Sequence, residues 1–371
     1  SPLRPSVLAK DRITWCTQYS FHSLRCLSHS FSPDLISRWQ DVLAASVDTK
    51  THGNYGAGLL CFNHFRDLHN IPEAERMPAS ESLLSIFISS YSAGHVASGM
   101  VSSWLAGLQL WHAVNNAPWH GGPLLTCTKK GVSKLAPPSS RHLLREPVSF
   151  NHMLALRASL DLSNTRDAAI WAAACTAWRD CAGLGEILID SPLSFDPTCH
   201  VARGCPKKCR VASNKYKYLQ FKVPYTKTQQ SAGDWLTSTQ TFDDVDAVCA
   251  LEHHLVVNFA VPDAAPLFAY TTQSSWAHLM RSDFMERCNA IWLDAGLGAL
   301  NSHSFRIGGT THLLLRGVDP WIVMPVNQGR WSSAAFLLHW RNVEEILPLF
   351  IGDSLDTLNS LKDSVARLAK I

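Results

Sequence analysis

With 371 residues, 46% of them apolar and 17% charged, the chain is long enough for about two globular domains and too apolar to stay disordered. A net charge of +3 excludes neither an acidic nor a basic partner, because a mild total can hide one strongly basic face. No run of 18 apolar residues occurs, and the richest stretch, AAIWAAACTAW at 168–178, ends on Arg179 and Asp180, so no membrane partner is expected.

Residues 1–30 show no clear period and read as an N-terminal arm; their opening, SPLRPSVLAKDR, has no apolar signal core. From 31 to 125 the pattern is helical. SPDLISRWQDVLAAS, THGNYGAGLLCFNHFRDL, ASESLLSIFISSYSAG and VASGMVSSWLAGLQLWHAVN each place apolar residues three and four apart behind serine, threonine or Pro-Ala-Ser starts. They predict an all-helical unit. The next stretch, TCTKKGVSKLAPPSSRHLLREP at 126–147, is polar, proline-bearing and basic through Lys129, Lys130, Lys134, Arg141 and Arg145. It reads as an inter-domain linker.

A second domain is expected over 148–371. It opens with two helices, VSFNHMLALRASLDLS and TRDAAIWAAACTAWRD, after which LGEILID, HVARG, CRVAS, KYKYLQFKVPY and TKTQQ predict short strands and hairpins. Eight basic residues and no acidic one lie between Arg203 and Lys227, namely Arg203, Lys207, Lys208, Arg210, Lys215, Lys217, Lys222 and Lys227, with Tyr216, Tyr218 and Tyr225 between them. That is more charge than a solvated hairpin needs and favours a polyanionic partner. Residues 245–371 return to helices, so the fold class is mainly α with a small β-sheet. The eleven cysteines are scattered and odd in number, which points to a reducing compartment. Cys199, His200, Cys205 and Cys209 cluster, but zinc sites use tighter pairs and no second pair follows; free thiols are favoured and no cofactor is expected.

Chemistry concentrates in NSHSFRIGGTTHLLLRGVDPWIV, 301–323. His303 and Arg306 share one face of a turn that opens a helix, where a planar guanidinium suits a phosphate and an imidazole can donate to it or shuttle a proton. Gly308, Gly309, Thr310 and Thr311 let that helix pack closely or let a backbone approach. At 329–342, GRWSSAAFLLHWRN predicts a helix starting at Ser332 and Ser333, whose apolar stripe is Phe336, Trp340, Val343 and Leu347, with His339 on its edge. Leu355, Leu358, Leu361, Val365 and Leu368 form a last stripe that folds back on its own core or docks on a neighbour.

HSFRIGGTTHLLLRG followed by GRWSSAAFLLHWR resembles the tyrosine recombinases, and among them the Crypton-type enzymes of fungal mobile elements. Upstream, THGNYGAGLLCFNHF, WLAGLQLWHAVNNAPWHGG and KKGVSKLAPPSSR are similar to the DNA-clamping half, and DLSNTRDAAIWAAACTAWRDCAGLGEILI and VPYTKT to the catalytic half. The resemblance implies a helical, SAM-like core-binding domain over 31–125 and an α+β catalytic domain over 148–371, the DNA breaking-rejoining fold, closing around duplex DNA. It implies attack by a tyrosine on the scissile phosphate without a metal. Two arginines and a histidine or tryptophan would stabilise the phosphorane, and a hairpin lysine would protonate the leaving oxygen.

Carried over by position, His303 and Arg306 match the second box, Lys227 the hairpin lysine, Glu186 the acid closing the first box, and Arg330 with Trp331 the third box. Two positions depart from the family. Gly183 stands where its first arginine belongs, three residues before Glu186, and His339 stands where its nucleophilic tyrosine belongs, nine residues after Arg330. None of the seven tyrosines lies beyond Tyr270, so no nearby slip of register restores the nucleophile. Arg179, one turn before Gly183, is a candidate to reach the same phosphate. Pro325 interrupts the approach to the third box. The resemblance with these losses implies a duplex-DNA-binding protein with impaired chemistry. Its phosphate contacts would come from the site, the 203–222 basic residues and Lys129, Lys130 and Lys134. An active recombinase with another nucleophile, and a helical scaffold without a DNA role, stand beside it. A nuclear location and, where the family's assembly is kept, a homotetramer on DNA complete the implied setting.

Overall fold

In a computed structural model, residues 7–140, 144–226, 232–319, 323, 341–346 and 348–349 are described. The chain divides into two compact units, Ser1–Leu143 and Leu144–Ile371.

The first unit is helical, with α1 (Gln18–Leu27), α2 (Pro33–Ala44), α3 (Thr49–Leu68), α4 (Glu81–Ser92), α5 (Ser98–Val114) and α6 (Pro123–Leu135). Phe62, Phe65, Phe87, Leu108 and Trp111 fill its core between α3, α4 and α5. Two expectations change here. The arm is folded: Ala9–Thr14 is a 3-10 turn, and Thr17 and Ser20 cap α1 reciprocally. Ile13 is fully buried and the Trp15 carbonyl accepts from Trp111 Nε1 at 2.8 Å. α1 buries only Ser20, so it carries no apolar core stripe for a period to show. The start of the expected linker is also helix. Pro123 opens α6, Leu125 and Val132 bury one narrow face, and the Glu81 carboxylate accepts from Leu125 N–H at 3.0 Å, capping α6 from another helix. Lys129, Lys130 and Lys134 are therefore exposed side chains of a helix.

The second unit holds α7 (Phe150–Ser159), α8 (Thr165–Arg179), α9 (Leu184–Ile187), α10 (Ala247–Val257), α11 (Arg281–Asp294) and α12 (His303–Leu315). Strands β1 (Lys207–Val211), β2 (Lys217–Val223) and β3 (Asp234–Thr239) form an antiparallel sheet in sequence order, and β4 (Tyr270–Thr271) pairs with β5 (Trp276–Ala277). At the centre lies α8, whose residues from Ala168 to Trp178 are all buried; the stretch too short for a bilayer is the core helix of this unit. Its start is fixed by Asn164, whose side chain accepts from the N–H groups of Arg166 and Asp167.

The strand expectations hold for KYKYLQFKVPY, which contains β2, and for the first three residues of CRVAS, which end β1; that strand begins two residues earlier, at Lys207. LGEILID instead begins as α9, and only Ile189 forms a bridge, to Met280; HVARG keeps a single bridge, Ala202 to Pro266. TKTQQ lies outside the described residues apart from Thr226. β3, β4 and β5 were not anticipated. The expected helix from Ser332 does not run through as one: Asn342 has φ 54°, Val343 is 38% exposed, and Ile346 is the buried residue of that turn, packing with Leu314 and Val323. Phe336, Trp340, Leu347, Pro325 and the 353–371 stripe lie outside the described residues. All eleven cysteines are free thiols. Among the described residues no helix is long and apolar enough to cross a membrane, and no three metal-ligating side chains gather.

Candidate nucleic-acid interface

The candidate site is built where α8 ends and α12 begins. Asp180 follows the last residue of α8; its N–H bonds back to Thr176 O and its carboxylate accepts from Ser238 Oγ on β3. The chain then reverses at Cys181, whose φ of 48° is the left-handed conformation that side chains with a Cβ rarely adopt. This turn aims the Cys181 carbonyl at α12, where Arg306 Nε donates to it at 2.8 Å. Glu186, in the single turn of α9, uses both oxygens: Oε2 accepts from Gly183 N–H at 2.9 Å, and Oε1 lies 3.7 Å from Arg306 Nη2. Gly183 and Glu186 thus share one corner with Arg306, which is far away in sequence. His303 sits one turn before Arg306, half-buried, with its N–H held by Asn301 Oδ1 at 3.0 Å.

What lets α12 reach this corner is the absence of side chains. A Cβ on Gly308 would stand 2.0 Å from Val148 O, and one on Gly309 would stand 1.8 Å from Trp178 O, so the α12 backbone rests directly on the end of α8 and on Val148, just before α7. The expectation of close packing is met at both glycines. Arg306 and Glu186 are 15% and 21% exposed in their side chains, which leaves the corner accessible. One guanidinium faces one carboxylate there, so the opposed charges partly cancel.

Gly183 itself has φ −72° and ψ 129°, ordinary extended backbone, and the three atoms nearest to an added Cβ are those of the Glu186 carboxyl group, at 3.2–3.4 Å. Because that neighbour is the end of a flexible side chain, Gly183→Arg is expected to change stability by less than about 1 kcal/mol, read from the urea midpoint.

Arg179 is engaged by partners other than this corner. Its Nε donates to Val245 O at 2.9 Å, its Nη2 pairs with Asp243, its Nη1 lies 3.4 Å from His312 Nε2, and its guanidinium covers the Trp178 ring at 4.9 Å. With the side chain 7% exposed, this arginine ties α8 to the loop before α10. Burial would raise the Asp243 carboxyl, but the Arg179 hydrogen bond and charge, with the Val245 N–H and Thr241, hold it below the usual range.

The eight basic residues do not form one patch. Arg203 is 6% exposed and its Nη2 donates to Leu255 O at 2.8 Å, so it is a core arginine. Lys207 donates to the Arg203 carbonyl, and Lys217 pairs with Glu252 at 2.5 Å, whose hydrogen bond raises the lysine pKa. Lys208, Arg210 and Lys215 are exposed and Lys222 is half-buried. Lys227 follows β2 but lies outside the described residues, as do Arg330, Trp331 and His339. Sequence reasoning missed one contributor, Cys181, whose backbone conformation has no sequence signal in a cysteine.

The structure of XerH site-specific recombinase bound to palindromic difH substrate, a post-cleavage complex, matches with TM-score 0.55 and 14% identity over 94% of this chain and 91% of that one. In fold, the chain is similar to site-specific recombinases. A pre-cleavage complex of XerH with difH substrate matches with TM-score 0.51 and 13% identity, covering 90% of each chain. No family model matches the sequence, and no curated protein matches it. A mainly helical chain with a small antiparallel sheet, in the fold of tyrosine recombinase structures, is what the sequence led one to expect.

Proposed function

We propose that the chain is a duplex-DNA-binding protein of the tyrosine-recombinase type, close to the Crypton-type enzymes, whose strand-breaking chemistry is impaired. The observation that carries this reading is the corner at Arg306. Its guanidinium is held by the Cys181 carbonyl beside Glu186, and the position that would supply a second guanidinium is Gly183. The recombinase-like fold supports it, as do the exposed lysines of α6 and of the sheet. Losing one preorganised donor costs about 10²–10³ in rate, and a histidine at 339 is shorter than a tyrosine and is offered a poor electrophile. His303 and Arg306 would hold a backbone phosphate, and Lys227, Arg330 and Trp331 would complete the ring around it. The same reading carries a nuclear setting and assembly on DNA as a homotetramer.

The test has two parts. Duplex affinity measured by fluorescence anisotropy should fall roughly 500-fold between 50 and 200 mM salt if about five phosphates are neutralised. A nicked suicide duplex should give no covalent protein–DNA adduct. Absence of salt-sensitive duplex binding would refute DNA recognition; an adduct that disappears in His339→Ala would refute the impairment.

A further inference from the structure

The three-stranded sheet has a core face, built on Leu219, Phe221, Val223 and Leu236, and an outer face whose composition the duplex reading does not explain. Antiparallel register places three rows across that outer face. Arg210 stands beside Tyr218 and Thr239; Lys208 beside Gln220 and Thr237; Lys222 beside Trp235. Gln220 Nε2 donates to Thr237 Oγ1 at 3.0 Å, so the middle row is a polar floor. The face carries three cations, two aromatic rings and no acidic side chain. Tyr218 and Trp235 are half-buried rather than core residues. Four residues of strand separate their rows, about 13 Å, the reach of two or three unstacked nucleotides. The Lys208 ammonium lies 4.0 Å from the Trp235 ring centroid, joining a positive charge to a stacking surface.

Phosphates of a duplex need cations but find no use for aromatic rings, because paired bases keep their faces to themselves. An unpaired strand offers both a phosphate chain and open base faces. We propose that the outer face of the β1–β2–β3 sheet is a binding site for single-stranded nucleic acid. Trp235 and Tyr218 stack on unpaired bases, and Lys208, Arg210 and Lys222 hold the phosphates between them. A strand that draws the Lys208 ammonium onto a phosphate uncovers the indole for a base. The inference rests on the nucleic-acid reading above and adds a second class of ligand to it.

The experiment uses the full chain and three fluorescein-labelled probes of about 20 nucleotides, oligo(dT), oligo(rU) and a mixed-sequence duplex, at one salt concentration. Binding to either single strand, weakened about 5- to 150-fold in Trp235→Ala with duplex affinity changed less than about twofold, is the expected result. The ratio of oligo(dT) to oligo(rU) affinity tells which strand chemistry the site prefers. Trp235→Phe keeps a ring and should keep most of the single-strand affinity; Tyr218→Leu, on the other end of the face, should weaken it independently. Should Trp235→Ala not fold, as judged by its melting curve, these two variants carry the same comparison. Equal loss on duplex and single strand would overturn the proposal, since Trp235 would then act only by placing Lys208. Duplex binding without single-strand binding would overturn it and leave the duplex reading standing; failure on all three probes would remove both.

Discussion

Gly309→Ala is expected to destabilise the second unit by about 3 kcal/mol or more, at or beyond the upper end of what overpacking usually costs. The added methyl would lie 1.8 Å from Trp178 O, 2.9 Å from its carbonyl carbon and 3.0 Å from Cys181 Sγ. The first two are backbone atoms, and the third belongs to a fully buried side chain. Trp178 closes the buried core helix and its Nε1 donates to Val148 O at 2.8 Å, while Val148 N–H bonds to Ser304 O at 2.9 Å. To make room, α12 must slide off α8 and Val148, which breaks the Val148–Ser304 bond and draws Arg306 away from the Cys181 carbonyl. The loss of stability should therefore appear together with weaker duplex binding at permissive temperature. Gly131→Ala is the contrast. It sits inside α6 with no atom within 4 Å of an added Cβ, so the same chemical change should stabilise by about 0.5–1 kcal/mol. Urea midpoints of the two variants against the parent chain decide it; an unchanged midpoint for Gly309→Ala would mean that α12 is not in contact with α8.

The contrast between these glycines also marks where sequence is legible. HSFRIGGTTHLLL announces both a helix and its close packing, because paired small residues inside an apolar period have few other uses. Helices α4, α7 and α8 are readable because each buries one face or is buried all round and begins at a residue whose side chain caps it. The elements that escape are those whose partners are remote. α6 buries only Leu125 and Val132 and borrows its cap from Glu81. Strand β3 alternates correctly, but its buried positions are Leu236 and Ser238, and a serine bonded to Asp180 does not read as core. The same limit applies at the site. His303, Glu186 and Arg306 stand out as residue types at spacings, whereas the demotion of Arg203 to the core and of Arg179 to a structural tie depends on Leu255, Val245 and Asp243, which no local pattern connects to them.

Acidification from pH 7 to pH 4.5 is expected to destabilise both units through histidines that the fold keeps neutral. In the first unit, His112 is fully buried; its Nδ1–H donates to Leu108 O at 2.7 Å and its Nε2 accepts from Ala79 N–H at 2.9 Å. In the second, buried His254 donates from Nε2 to Leu267 O at 3.0 Å and accepts at Nδ1 from Asn258 Nδ2 at 3.1 Å. Each ring thus uses one nitrogen as donor and the other as acceptor, and a second proton would break the accepting bond. Burial pushes both pKa values down to about 4, with His120 adding to the effect at His112 and Arg203 and His253 at His254. His312, between Phe150 and Trp178, is likewise lowered to about 4 by burial and by Arg179 and Arg316. The unfolded chain takes up these protons near pH 6.5, the native chain only near pH 4. Stability is therefore full above about pH 6.5 and declines as pH falls towards 4. The decline is on the order of 3 kcal/mol each for His112 and His254, and smaller for the more open His312. Urea midpoints followed against pH should slope downward over this window, and His254→Gln, which can still donate to Leu267 O, should flatten the second unit's slope while lowering its plateau. A midpoint that stays level from pH 7 to 4.5 would mean that these rings accept a proton in place, which their two bonds forbid.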